Sequence, residues 1–84
     1  MNANNLTNSF YQIGIAKEKT GLTARQIRYY EEMGLIKPER TESNYRIYSK
    51  QDIQRLKKIK ELMEAGMNTS GILRKFQLIE QDND

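Results

Sequence analysis

Leu22-Thr23-Ala24-Arg25-Gln26-Ile27-Arg28-Tyr29-Tyr30-Glu31-Glu32-Met33-Gly34-Leu35-Ile36 is the stretch that decides the fold. At about 100° per residue, Arg25, Arg28, Tyr29 and Glu32 share one helix face while Ile27 and Tyr30 fall roughly opposite. Thr23 is the expected N-cap and Gly34 the expected stop just past the last turn. The helix, 23–33, thus buries one side and offers two arginines and a tyrosine on the other. Arginine reaches guanine O6 and N7 in the major groove, and tyrosine and a helix N-terminus hold phosphate. Thr23, Arg25, Gln26, Arg28 and Tyr29 are therefore candidate DNA contacts. An ordinary surface helix with solvated arginines is the plain alternative, and the flanking sequence decides between them.

Upstream, Ile13, Ile15 and Ala16 lead into a first helix that ends at Thr20-Gly21, so the two helices are joined by a tight turn. Downstream, Ile36–Arg40 and Tyr45–Tyr48 flank Thr41 to Asn44, which supplies turn chemistry. The pair reads as a two-stranded hairpin, and a hairpin directly after a helix-turn-helix is a wing. Tyr45-Arg46-Ile47-Tyr48 alternates, and with Ile47 turned to the core, Arg46 and Tyr48 would point outward. Arg40, Asn44, Tyr45, Arg46 and Tyr48 are accordingly the wing's candidate contacts to backbone or minor groove. Ser49-Lys50-Gln51-Asp52 resembles a capping box opening a third helix, whose stripe is Ile53, Leu56, Ile59 and Met63 with Leu62 adjacent. Of Arg55, Lys57, Lys58 and Lys60, one or two are expected to reach phosphate and most to be solvated. A fourth helix follows an Asn68 cap, with Ile72, Leu73, Phe76 and Ile79 apolar.

Composition narrows the function. Eighty-four residues make one small domain near the lower limit for a single stable core. No cysteine leaves no disulfide and no thiolate metal site, and no histidine removes the commonest general base. Glu31 and Glu32 are adjacent and diverge on a helix, so they form no catalytic pair; Glu32 is expected to order Arg28 at i, i+4. No catalytic residue, metal, cofactor or small-molecule ligand is expected. No stretch approaches the ~20 apolar residues of a membrane span, which points to a cytoplasmic, nucleoid-associated protein. Residues 1–60 hold twelve Lys/Arg against six Asp/Glu, and residues 61–84 two against five. The basic part contains the decisive helix, and such a footprint suits a polyanion.

Taken together, Ile13-Gly-Ile-Ala16, Thr20-Gly-Leu22, Ile27-Arg-Tyr-Tyr-Glu31, Gly34-Leu-Ile36, Tyr45-Arg-Ile-Tyr-Ser49, Asp52-Ile53 with Leu56, and Gly66 resemble the DNA-binding domain of the MerR family of bacterial transcription regulators. Within that family, Arg25–Glu32 is similar to the nitrogen regulators GlnR and TnrA, and Asn68 and Gly71-Ile72 are similar to GlnR. The resemblance implies base reading by Arg25 and Arg28, backbone contact by Tyr29, and wing contacts from Arg46 and its tyrosine neighbours. It also implies that the N-terminal extension helps pair subunits, here through Leu6, Phe10 and Tyr11. Head-to-tail assembly on direct repeats has a precedent in the short MerR-like protein BldC.

The sequence therefore predicts a mainly α winged helix-turn-helix, with about four helices and a two-stranded hairpin. Residues 1–10 form a flexible or partner-docking arm, 11–79 the DNA-binding domain and 80–84 an acidic tail. The expected partner is double-stranded DNA, bound sequence-specifically by a homodimer or DNA-assembled oligomer that regulates transcription. An architectural protein that coats repeated sites is the alternative.

Overall fold

The computed structural model describes residues 9–82. In chain order they form β1 (Phe10–Tyr11), α1 (Ile13–Thr20), α2 (Ala24–Glu32), β2 (Glu39–Arg40), β3 (Arg46–Ser49), α3 (Lys50–Glu64) and α4 (Thr69–Asp82). The four helices and the hairpin match the winged helix-turn-helix expected from the sequence. The sheet differs in one respect, because it has three strands in the order β1-β3-β2. Phe10 pairs with Ser49 and Tyr11 with Tyr48, so the segment before α1 closes the wing at its base. The sequence reading placed Phe10 in an arm. Two residues are too short to show alternation, which is why this strand left no pattern to read.

The turn between α1 and α2 is fixed by a buried threonine and a left-handed glycine. Thr20 Oγ1 donates to the Ala16 carbonyl at 2.7 Å and accepts from the Leu22 amide at 3.1 Å. Gly21 follows at φ 76° and closes α1 by donating to the Lys17 carbonyl. That backbone region is costly for any residue with a Cβ. Leu22 then drops into the core, and Thr23 starts α2.

Both ends of α2 are closed by local hydrogen bonds. Thr23 Oγ1 accepts from the Gln26 amide at 3.0 Å while Gln26 Oε1 accepts from the Thr23 amide at 2.9 Å, a reciprocal capping box. At the other end Gly34, at φ 81°, donates to the Glu31 carbonyl and Leu35 donates to that of Tyr30. This Schellman arrangement delivers Leu35 and Ile36 straight into the core. Gly66 ends α3 in the same way, and Ser49 with Asp52 caps its start. Asn68 Oδ1 accepts from the Gly71 amide, the cap expected for α4.

The core joins all of these elements. Ala16, Leu22, Ile27, Tyr30, Leu35, Ile36, Tyr48, Ile53, Leu56, Ile59, Ile72 and Phe76 are buried together. Burial of each large side chain contributes about 1.5–3 kcal/mol. Ile79, expected on the apolar stripe of α4, is instead about half exposed, as is Leu78. Helix α4 has diverged from the core by that point, and Phe76 is its last buried side chain. No helix among the described residues is long and apolar enough to cross a membrane.

Candidate nucleic-acid interface

With Ile27 and Tyr30 held in the core, α2 has no freedom in which face it offers outward. Arg25, Gln26, Arg28, Tyr29 and Glu32 are all exposed. Tyr29 keeps nearly half of its surface in solvent although its ring lies 5.9 Å from that of Tyr30. Thr23 and Gln26 are exposed too, but each already uses one side-chain oxygen in the capping box. Their first task is to fix the helix start; the Gln26 amide nitrogen has no partner in that cap.

The wing is shaped by its own tip. The Asn44 amide donates to the Thr41 carbonyl at 2.8 Å, the Thr41 amide donates to the Tyr45 carbonyl at 2.8 Å, and Tyr45 N–H reaches Thr41 Oγ1 at 3.1 Å. Asn44 sits at φ 70°, a left-handed conformation that asparagine tolerates better than most side chains. This backbone demand alone accounts for asparagine here. Beyond it Tyr45 is, among the described residues, the most exposed large hydrophobic side chain, at 68%.

Helix and wing meet around an open cleft of about 240 Å³ lined by Gln12, Ile13, Arg28, Asn44, Tyr45 and Arg46. Four of these six residues were expected from the sequence. The other two, at the start of α1, were not. Gln12 is the N-cap of α1 but makes no side-chain capping bond, so the amides of the first turn lack that partner. Only the tertiary arrangement brings this helix start beside Arg28 and the wing.

Tyr48 corrects the sequence reading. It is fully buried, and its hydroxyl has no hydrogen-bond partner among the described residues. Burial pushes this phenol above its ordinary pKa, with Arg46 acting in the opposite direction. The alternation itself holds, because the pleat puts Arg46 and Tyr48 on one face. That face is the inward one: Tyr48 enters the core and Arg46 reaches Glu31 at its margin. Period two says which residues share a face and is silent on which face is covered. A fully buried ring is not available to DNA, so Tyr48 supports the wing from beneath.

A second correction concerns the acidic pair. Among the described residues, Arg28 has no ion pair with Glu32. Glu31 is the engaged carboxylate, taking Arg46 Nε at 2.6 Å and Arg40 Nη2 at 3.5 Å. This bond raises the Arg46 guanidinium above its ordinary pKa. Arg40 also donates to the Asn44 carbonyl at 3.3 Å.

Arg55, one of four cations of which most were expected to be solvated, is engaged within the protein. Its Nε donates to the Leu35 carbonyl at 2.6 Å, Nη1 pairs with Glu80 at 2.9 Å, and the guanidinium lies 4.3 Å from the Phe76 ring centre. It ties the segment leaving α2 to α4. Nothing in the local sequence distinguishes it from the lysines around it.

Of the residues expected to pair subunits, Leu6 lies outside the described residues. Phe10 is 46% exposed on β1, whereas Tyr11 packs against the core with Lys19 Nζ 4.9 Å from its ring centre.

Residues 11–78 match the MerR HTH family regulatory protein model. The chain belongs to the MerR family. It is 48% identical to the HTH-type transcriptional regulator GlnR of Bacillus anthracis over 62 residues, covering 74% of this chain and 48% of the relative. Against the HTH-type transcriptional regulator TnrA of Bacillus subtilis the identity is 48% over 69 residues, covering 82% and 63%. The mercuric resistance operon regulatory protein of Bacillus cereus is 41% identical over 73 residues, covering 86% and 55%. The chain thus spans about half the length of the curated relatives it matches, and the part of this MerR-family chain that matches the family model runs from β1 through the helix-turn-helix, the wing and α3 into α4.

Proposed function

We propose that this chain binds duplex DNA sequence-specifically and regulates transcription. Helix α2 enters the major groove, with Arg25 and Arg28 reading base edges and Tyr29 holding the backbone. The wing follows the adjacent backbone or minor groove through Arg40, Asn44, Tyr45 and Arg46. The observation that carries this reading is the cleft in which Arg28, the wing residues Tyr45 and Arg46, and the uncapped start of α1 converge. Guanidinium groups beside free helix-terminal amides suit a phosphate oxygen, and the neighbouring exposed face of α2 is then presented to the bases. Membership in a family of regulatory proteins, and relatives named as transcriptional regulators, support the same reading.

One module of this kind buries about 600–1,000 Å² and is seldom specific alone. The proposal therefore includes two copies on repeated half-sites, paired through the N-terminal segment that contains Leu6 and Phe10. Binding of a labelled random-sequence duplex pool tests the electrostatic part. Affinity should fall steeply between about 50 and 200 mM salt, and Arg28→Ala should weaken binding to a duplex selected from the pool more than to the pool itself. Salt-independent binding, or full tolerance of Arg28→Ala, would count against the assignment.

A further inference from the structure

Arg40 and Arg46 stand directly opposite each other on β2 and β3, a placement in which like charges repel. One carboxylate relieves it. Glu31, in the last turn of α2, takes Arg46 on Oε1 and Arg40 on Oε2. Among the described residues, every side-chain hydrogen bond or ion pair between α2 and the wing ends on this carboxylate. The helix that faces the bases and the hairpin beside it are thus joined through a single negative charge.

That charge is unfavourable for binding phosphate in general. It reduces the two arginines to a net single positive charge at a place where a duplex backbone would approach. Non-specific association depends almost wholly on such phosphate contacts, whereas a specific complex adds base contacts that Glu31 does not touch. A built-in repulsive element of this kind lowers wrong binding more than right binding.

Resting on the DNA-binding reading above, we infer that Glu31 is a positioning residue that sets specificity. It holds Arg40 and Arg46 against the recognition helix and restrains the wing's attraction for phosphate on non-cognate sequence. The base-facing side chains Arg25 and Arg28 form no ion pair among the described residues, so the restraint falls on the wing alone.

Glu31→Gln keeps the shape and removes the charge. Fluorescence anisotropy with a duplex carrying the selected site, and with a scrambled duplex of equal composition, measures both complexes at two salt concentrations. The variant should bind scrambled duplex about threefold or more tightly at about 50 mM salt, with a smaller change on the selected site. The slope of log K against log salt on scrambled duplex should steepen by about 0.9, the value of one added phosphate contact. A purely structural role would weaken both complexes together and leave the slope alone. That result, or unchanged binding to both duplexes, overturns the inference.

Arg40→Gln gives a second arm that does not depend on how Glu31→Gln folds, since Arg40 is an exposed side chain. It removes one positive charge from the same cluster, so it should weaken scrambled-duplex binding about threefold at about 50 mM salt and flatten the salt slope by about 0.9, the mirror image of Glu31→Gln. An unchanged slope would show that the cluster does not lie at the phosphates and would also overturn the inference. If the unmodified chain bound neither duplex, the DNA-binding reading itself would fall, an outcome separate from normal binding that Glu31→Gln leaves unchanged.

Discussion

Replacing Arg55 by alanine should destabilise this domain far more than replacing any lysine around it. Three interactions are lost. A charge-assisted hydrogen bond to the Leu35 carbonyl, at 2.6 Å, is worth about 1.5–3 kcal/mol. The guanidinium against the Phe76 ring, at 4.3 Å, adds about 0.5–1 kcal/mol for a partly exposed site. The pair with Glu80 adds about 0–1 kcal/mol, because that carboxylate is mostly in solvent. Non-additivity among neighbours trims the total, so roughly 2–4 kcal/mol is expected. For a domain of this size that lowers Tm by on the order of 10–25 °C. The assay is thermal and urea unfolding followed by circular dichroism, with Glu80→Ala as the partial deletion, expected to cost about 1 kcal/mol or less. Arg55→Lys retains the charge without the planar fork and should recover less than about half of the loss. A change within about 0.5 kcal/mol for Arg55→Ala, the range of ordinary surface substitutions, would refute the view that Arg55 anchors α4 to the segment that leaves α2.

Other consequences can be measured in the same way. Tyr48→Phe removes a buried hydroxyl that has no partner and should leave stability unchanged or raise it by about 1–3 kcal/mol in urea unfolding. A clear loss would mean that the hydroxyl is bonded in solution. The raised phenol pKa also sets a sign. Below the unfolded pKa of about 10 both states hold the proton, and above it the unfolded chain releases its proton first. Stability should therefore fall as pH rises above about 10, and less steeply in Tyr48→Phe if Tyr48 contributes. Gly21→Ala and Gly34→Ala both force alanine to positive φ and should each cost about 1–2 kcal/mol. The two should cost about the same, because the Lys60 Nζ that the Gly21 Cβ would meet at 2.6 Å is the far end of a flexible side chain, and Gly34 has open space. A clearly larger cost at Gly21 would show that the bond from Lys60 to the Thr20 carbonyl holds that side chain in place. Arg25→Ala should cost about 1–3 kcal/mol of DNA affinity and relax preference at one base position in a site selection. Uniform weakening on all sequences would remove Arg25 from base reading.

The fold was legible where local chemistry is strong. Thr23 with Gln26, Ser49 with Asp52, and glycines 21, 34 and 66 mark helix ends through interactions that span three or four residues, and the structure places all of them at such ends. The buried sides of α2 and α3 followed from helical periodicity alone. What escaped was set by distant partners. Strand β1 exists because Phe10 and Tyr11 meet Ser49 and Tyr48 nearly forty residues later. Tyr48 turned inward because the sheet lies on the helices with the face opposite to the one assumed. Glu31 was chosen over Glu32 because it points toward Arg40 and Arg46, which hairpin register alone brings together. Arg55 acquired its role from Leu35, Phe76 and Glu80, three residues from three separate segments. In the candidate interface the side chains of α2 and the wing tip could be named from sequence, and the start of α1 could not.

The central claim is that α2 reads base sequence in duplex DNA. Selection of bound sites from a random duplex library, run at low and high salt, tests it most directly. The account predicts enrichment of a defined motif that recurs in two copies, sharpens at higher salt as phosphate-only binding is screened, and loses one base position in Arg25→Ala. Enrichment of nothing beyond overall A·T content at either salt concentration would contradict it.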